Sequence, residues 1–104
     1  MPRYVQVYSD LASNVEITSE VMNIIADRLG IIKEGRVVSE SCVSAPLGAC
    51  NFTIQTFGKT LKCVDVFYYN SDFDVAKTAI IFEEELSVAP ISWTKYCYEK
   101  SGRE

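Results

Sequence analysis

The feature that most restricts the fold of this chain is a repeated order of elements: strand, helix, strand, and then strand, helix, strand again. Apolar residues at helical spacing predict one helix near residues 17–29 and a second near 73–86. A strand, a helix and another strand joined by short links form a β-α-β unit, whose two strands run parallel. The sequence therefore predicts an α+β domain built from two β-α-β halves.

Local signals mark where both predicted helices begin and where the first ends. Thr18 or Ser19 can cap the start of the first helix, and Gly30 suits the left-handed conformation after its last turn. Ser71 followed by Asp74 resembles a capping box at the start of the second helix. The apolar residues that share one face of the first helix are Val21, Ile24, Ile25 and Leu29.

The strands are predicted from runs of alternating β-favouring residues. These runs cover residues 4–8, 36–43, 51–57, 60–69 and 92–98. Gly58-Lys59 separates two of them and predicts a β-hairpin. We expect a four-to-six-stranded mixed sheet with both helices on one face, in a ferredoxin-like or related layout, within one domain spanning residues 1–104.

Two helices cover one face of such a sheet and leave the other face open. Hydrophobic residues make up 48% of the chain, which is more than this arrangement alone buries. A second copy of the chain is the natural cover for the remaining face. The composition therefore predicts self-association into an oligomer.

Charge and hydropathy exclude several classes of function. The net charge is −4 and lysine and arginine form no cluster, so we expect no nucleic-acid partner. No apolar run approaches membrane-spanning length, and the first residues lack the pattern of a signal peptide. The expected location is the cytoplasm, with secretion without a signal peptide as the alternative, and no membrane partner is expected.

The chain contains no histidine and four widely spaced cysteines, which limits its chemistry. Without histidine there is no Ser-His-Asp or Cys-His arrangement and no histidine metal ligand. Zinc sites and thioredoxin-like motifs need closer cysteine pairs than this chain has. The cysteines, which we expect to be reduced and structural, with no metal and no cofactor, are Cys42, Cys50, Cys63 and Cys97.

Three segments of the chain resemble one known family. They are the opening Met1-Pro2-Arg3-Tyr4-Val5, the strand of residues 51–58, and the stretch from Leu86-Ser87-Val88-Ala89-Pro90 to the final strand ending at Glu99. Together with the two β-α-β halves, they look like the tautomerase superfamily, and most like macrophage migration inhibitory factor and its relatives. The resemblance spans most of the chain and is diffuse.

The resemblance implies a trimer in which the N-terminal proline, freed of methionine, is the general base for keto–enol tautomerisation. Pro2 matches that proline, and a secondary amine in an apolar pocket has a lowered pKa, which suits a base at neutral pH. The family's substrate-binding positions correspond to Phe57 and Tyr96, while its carboxylate-binding lysine is represented by Lys33, two residues late. The family's tyrosine on the last strand is replaced by Thr94.

Two functions follow from these matches and departures. The first is a tautomerase, an isomerase acting through Pro2 on a small α-keto or enol acid, with Lys33 holding the substrate carboxylate. The second is a non-catalytic relative, an oligomer with a cytokine-like or regulatory role that binds a protein partner. An unrelated ferredoxin-like interaction domain is a third interpretation. While Met1 remains, Pro2 carries an amide nitrogen and cannot act as a base.

Overall fold

The computed structural model of the chain describes residues 3–46, 50–68, 74–88 and 94–99. Within these ranges, strands and helices follow one another as an α+β domain. Their bounds are β1 (Arg3–Ala12), α1 (Ser19–Arg28), β2 (Val37–Val38), β3 (Cys42–Ser44), β4 (Cys50–Phe57), β5 (Leu61–Tyr68), α2 (Val75–Leu86) and β6 (Thr94–Glu99). Neither α1 nor α2 has the length and apolar character that crossing a membrane would require.

The six strands form one sheet in the order β2-β3-β4-β5-β1-β6, and every described pairing is antiparallel. We call the end of the sheet at which β1 begins the Arg3 end. Tyr68 and Cys50 lie near it, because Val5 pairs with Tyr68 and Tyr68 pairs with Cys50. The opposite end of the strands is the Ala12 end. β1 ends there, close to the turn between β4 and β5.

The predicted strand count and α+β class agree with this sheet, but the prediction of a mixed sheet with parallel neighbours is wrong. β5 and β6 run in the same direction, yet β1 lies between them and pairs antiparallel with both. β1 and β2 also share a direction, and three strands separate them. The helical connections therefore link strands that run parallel without pairing. β1 lies between β5 and β6, and β3, β4 and β5 lie between β1 and β2.

The stretch predicted as one strand over residues 36–43 is two short strands, β2 and β3. A turn at Ser39 separates them. The Ser39 backbone N–H donates to the Cys42 carbonyl at 2.9 Å, and the Ser39 hydroxyl oxygen accepts from the N–H groups of Ser41 and Cys42. A serine side chain that bonds its own turn in this way competes with an extended strand. β1, in contrast, continues to Ala12, beyond its predicted end at Tyr8.

Each helix begins after a residue whose side chain caps it. The Thr18 hydroxyl accepts a hydrogen bond from the Val21 N–H, and the Asp74 carboxylate accepts one from the Lys77 N–H, both at 3.2 Å. Such caps satisfy N–H groups that the helix itself leaves free. At the other ends, the Arg28 guanidinium of α1 donates to two carboxylates of α2, those of Glu84 and Glu85. This ion pair joins the last turns of the two helices.

Both helices pack on the same face of the sheet, where the core lies. Alternate residues of β4 and β5 point into it, and Phe52 meets Phe82 of α2 edge to face, with ring centroids 5.3 Å apart. Burying a side chain of this size contributes about 1.5–3 kcal/mol. The largest fully buried side chains are Phe52, Phe82, Leu11, Met22, Ile25, Leu86, Val43, Val64 and Val66.

Candidate functional site

The sheet places the start of β1 far from Phe57. Pro2 lies outside the described residues, and Arg3 after it begins β1 at the Arg3 end. Phe57 is at the other end, since it pairs with Leu61, which in turn pairs with Ala12. β1 has ten residues, and a strand of that length spans about 30 Å. One chain therefore does not bring Phe57 to the start of β1.

The other two predicted site residues lie in different parts of the structure. Lys33 is exposed in the turn between α1 and β2, where its carbonyl accepts from the Arg36 N–H at 3.1 Å. Tyr96 is in β6, where its backbone pairs with Gln6 of β1, and its side chain is outside the described set. The roles assigned to Pro2, Lys33 and Tyr96 stay predictions.

Among the described residues, Cys42, Cys50 and Cys63 are thiols and do not form disulfides with one another. The described part of the chain also holds no group of three or more cysteine and carboxylate side chains placed to bind a metal ion. Cys63 Sγ donates to the Asp10 carboxylate at 2.9 Å across the β1–β5 pair. Cys97 lies in β6, and its side chain falls outside the described residues.

A buried cluster of uncharged polar side chains lies at the Arg3 end of the core. The Tyr68 hydroxyl and the Thr78 hydroxyl are 3.1 Å apart, and Thr78 Oγ1 also donates to the Asp74 carbonyl at 2.9 Å. Burial raises the pKa of the Cys50 thiol to about 12. Burial, together with the neighbouring Cys50, also raises the pKa of Tyr68. Both groups therefore hold their protons at neutral pH, which makes Cys50 a poor nucleophile.

A second buried polar cluster lies at the Ala12 end and centres on Ser13. The Ser13 hydroxyl donates to the Leu86 carbonyl at 2.7 Å, and its N–H donates to the Thr60 carbonyl at 2.7 Å. The Ser13 carbonyl accepts from Lys62 Nζ at 2.6 Å. Ser13 thus ties the end of β1 to the β4–β5 hairpin and to the last turn of α2.

Lys62 is the unusual member of this cluster because it is a charged residue on the core face. It alternates in phase with Val64 and Val66, and 3% of its surface is exposed. A lysine is rarely buried to this extent without an opposite charge. Lys62 is not among the site residues predicted from the sequence, although a lysine in phase with two valines on an alternating strand is a signal of a buried cation.

An open cleft of about 580 Å³ lies beside this cluster, between the segment after β1 and the β4–β5 hairpin. This volume is within the range of small-molecule sites in proteins, about 300–1,000 Å³. The lining side chains combine apolar, acidic and basic groups. They are Asn14, Val15, Glu16, Ile17, Glu40, Ser41, Ile54, Gln55, Thr56, Lys59 and Lys62.

The face of the sheet opposite the helices, which we call the open face, carries the residues of β4 and β5 that lie between those pointing into the core. No described helix packs on it. Phe57 and Leu61 lie side by side across the two strands and are 53% and 44% exposed. Val37 of β2 is 66% exposed on the same face, since its neighbour Val38 packs against the core. Among the polar residues of this face are Asp10, Asn51, Thr53, Gln55 and Asp65.

Comparison with known proteins yields no relative, because no family model, no curated protein and no solved structure matches the chain. The open face, the buried Lys62 and its cleft are therefore the features from which a function is inferred.

Proposed function

We propose that this chain is a self-associating binding domain, in which the open face of one copy packs on another copy. The observation that carries the proposal is the exposed pair Phe57 and Leu61 on a face without a described helix. Burying a phenylalanine or leucine side chain contributes about 1.5–3 kcal/mol, so contact between copies at this pair is favourable. A trimer is the assembly that the sequence resemblance implies.

The mixed composition of the open face fits an association of this kind. Phe57 and Leu61 form an apolar patch at the Ala12 end, while Gln55, Asp65 and Asp10 supply polar groups farther along the same face. Interfaces between proteins are commonly apolar at the core and polar at the rim. Hydrogen bonds from the polar residues would then fix the relative orientation of two copies.

For the fold itself, we propose the ferredoxin-like member of the layouts predicted from the sequence. Its support is the strand order β4-β5-β1-β6 within the sheet, with β1 inserted between the two strands that α2 connects. An inserted strand of this kind is the split β-α-β arrangement. On this proposal, β2 and β3 are an extension at one edge of the sheet.

The test is the molar mass in solution of the parent and two matched variants. Phe57→Ser removes an exposed apolar residue from the open face, and Ile80→Ser removes one of nearly equal exposure, 52%, from α2. At tens of micromolar, light scattering is expected to give a mass several times the 11.7 kDa of the chain for the parent and for Ile80→Ser. Phe57→Ser is expected to shift towards the monomer. A monomeric parent, or equal dissociation of both variants, would contradict the proposal.

A tautomerase activity is the second candidate, and the position of β1 favours it. β1 directly follows Pro2, and it pairs with β6 from Arg3 onward and with β5 from Val5 onward, so strand pairing fixes the chain that follows Pro2. Since Phe57 lies at the Ala12 end, a site that used both residues would have to combine two copies of the chain. Such a site would depend on the association proposed for the open face.

A preparation that begins at Pro2 tests this candidate through the ketonisation of a phenylpyruvate-type enol acid. If Pro2 is the general base, the parent accelerates the reaction, and Pro2→Ala lowers the rate by a factor on the order of 10²–10⁴. Lys33→Ala should matter less, because Lys33 is two residues from the expected position. If the parent reacts no faster than buffer alone, the tautomerase candidate is excluded and the binding function remains. If Pro2→Ala is as fast as the parent, the activity belongs to another group.

A further inference from the structure

The ammonium group of Lys62 has more hydrogen-bonding capacity than its protein contacts use. An ammonium group has three N–H donors, and the described contact of Lys62 Nζ is one bond to the Ser13 carbonyl. Within the described residues, no carboxylate lies within ion-pair distance of this nitrogen, because the ion pairs found there belong to Arg28 and Arg36. Among the described residues, the buried ammonium group of Lys62 therefore has no negatively charged partner.

A charge in this state costs free energy that an anionic ligand can recover. Taking an ion out of water is expensive, and a single carbonyl compensates for it in part. The reduced dielectric of the interior also strengthens its attraction for a negative group nearby. Since Lys62 lines the cleft, an anion entering the cleft would approach this charge.

The rest of the lining indicates more than an anion. Glu16, Glu40 and Lys59 are exposed residues of the same cleft, so its surface offers two carboxylates and a second ammonium group in addition to the buried one. A simple anion such as phosphate would leave the two carboxylates without an opposite charge in the ligand. A ligand that carries both charges would find a partner for each of them.

The cleft also contains an apolar surface. Ile54 is buried, and Val15 and Ile17 are partly buried among the lining residues. We propose that this cleft binds an apolar α-amino acid in its zwitterionic form. Its carboxylate would interact with Lys62 and its ammonium group with Glu16 and Glu40, while its side chain would pack on the apolar residues.

The first test is calorimetric titration of the full chain with L-leucine. Lys62→Met keeps the length and apolar stem of the side chain and removes the charge. Loss of a charge-assisted hydrogen bond is expected to weaken leucine binding by about tenfold or more. Lys77→Met removes an exposed charge from α2, outside the cleft, and is expected to bind like the parent.

Two analogues separate the contributions of the two ends of the ligand. Leucine amide lacks the carboxylate, and 4-methylpentanoate lacks the ammonium group; both are expected to bind the parent more weakly than leucine. The double substitution Glu16→Gln and Glu40→Gln should weaken the binding of leucine. It should leave the affinity for 4-methylpentanoate unchanged or increase it. In that double variant, the two ligands should therefore approach equal affinity.

Three results would overturn the proposal. They are no binding of leucine by the parent at millimolar concentration, a Lys62→Met variant with parental affinity, and inorganic phosphate that displaces leucine and binds as tightly. Circular dichroism establishes whether Lys62→Met folds. If it does not, the double glutamine variant still decides, because equal loss of leucine and 4-methylpentanoate in that variant would exclude recognition of the ammonium group.

Discussion

The two ends of helix α2 are fastened to the sheet by similar hydrogen bonds but with different chemistry around them. At the Arg3 end, Thr78 of α2 meets the Tyr68 hydroxyl at 3.1 Å. At the Ala12 end, the Leu86 carbonyl accepts from the Ser13 hydroxyl at 2.7 Å. The first cluster is neutral and includes a buried thiol, Cys50, whereas the second includes the cation of Lys62.

This difference separates a structural cluster from a candidate binding site. Burial holds the protons on Tyr68 and Cys50, and the Thr78 hydroxyl is already bonded to the Asp74 carbonyl, so the neutral cluster is complete without a ligand. The side-chain nitrogen of Lys62 has one described hydrogen-bond partner, the Ser13 carbonyl. Both clusters attach α2 to the rest of the domain, but they thus differ in their capacity to bind a ligand.

The largest expected effect comes from raising the pH at the neutral cluster. The unfolded chain begins to lose the Cys50 proton near the ordinary thiol pKa of 9, whereas the folded chain keeps it to about 12. Unfolding therefore releases a proton in this window. The free energy of unfolding should fall as the pH rises, by about 1.4 kcal/mol per pH unit for each such group. Urea denaturation between pH 8 and about 11 measures this slope.

Two cysteine variants show whether the slope belongs to the buried cluster. Cys50→Ala should reduce the dependence of the unfolding free energy on pH by the contribution of one proton. Cys42→Ala, which changes a partly buried thiol outside this cluster, should keep the slope of the parent. Equal slopes in the parent and in Cys50→Ala would show that the thiol proton is released in the folded state as well.

Ser13→Ala is expected to have the next largest effect, a loss of about 2 kcal/mol in the free energy of unfolding. The substitution removes the bond to the Leu86 carbonyl and the 3.2 Å bond that the hydroxyl oxygen accepts from the Val15 N–H. Both partners are backbone groups, which cannot move away easily. Ser39→Ala, at an exposed turn, is the control and should cost less. A Ser13→Ala protein as stable as the parent would contradict the role of this cluster.

Thr78→Val should have the smallest effect of the three, a loss of about 1 kcal/mol. Valine has nearly the same shape as threonine, and the Tyr68 hydroxyl retains an interaction with Cys50. The alanine and valine variants can be compared in the same urea titration. If Thr78→Val cost more than Ser13→Ala, the Arg3 end would be the more important attachment of α2.

The helices and the hairpin could be predicted from the sequence because their signals are local. α1 and α2 begin two residues after their predicted starts, and the side chains of Thr18 and Asp74 that cap them act on N–H groups three residues away. The turn at Gly58 lies where a positive φ of 72° is needed, which glycine adopts without strain. In each case, the physical cause is contained in a few neighbouring residues.

Strand order and the site could not be predicted in the same way. The alternation of residues in β1 is the same whether its neighbours run parallel or antiparallel, so it did not indicate that β1 pairs with both β5 and β6. The prediction that Pro2 and Phe57 belong to one site rests on a family resemblance and on no local signal. Lys62 could have been placed on the core face from its phase with Val64 and Val66. Its contact with Ser13 depends on strand pairing that the sequence does not specify locally.

The central claim is that the ligand-binding end of the sheet is the Ala12 end, where Lys62 lies. Titration of the isotope-labelled chain with L-leucine, followed by amide chemical shifts, tests it most directly. The account predicts shift changes concentrated in residues 14–17, 40–41, 54–56 and 59–62, around the cleft. Changes concentrated in residues 3–5, 66–68 and 97–99, at the Arg3 end, or no saturable change anywhere, would contradict it.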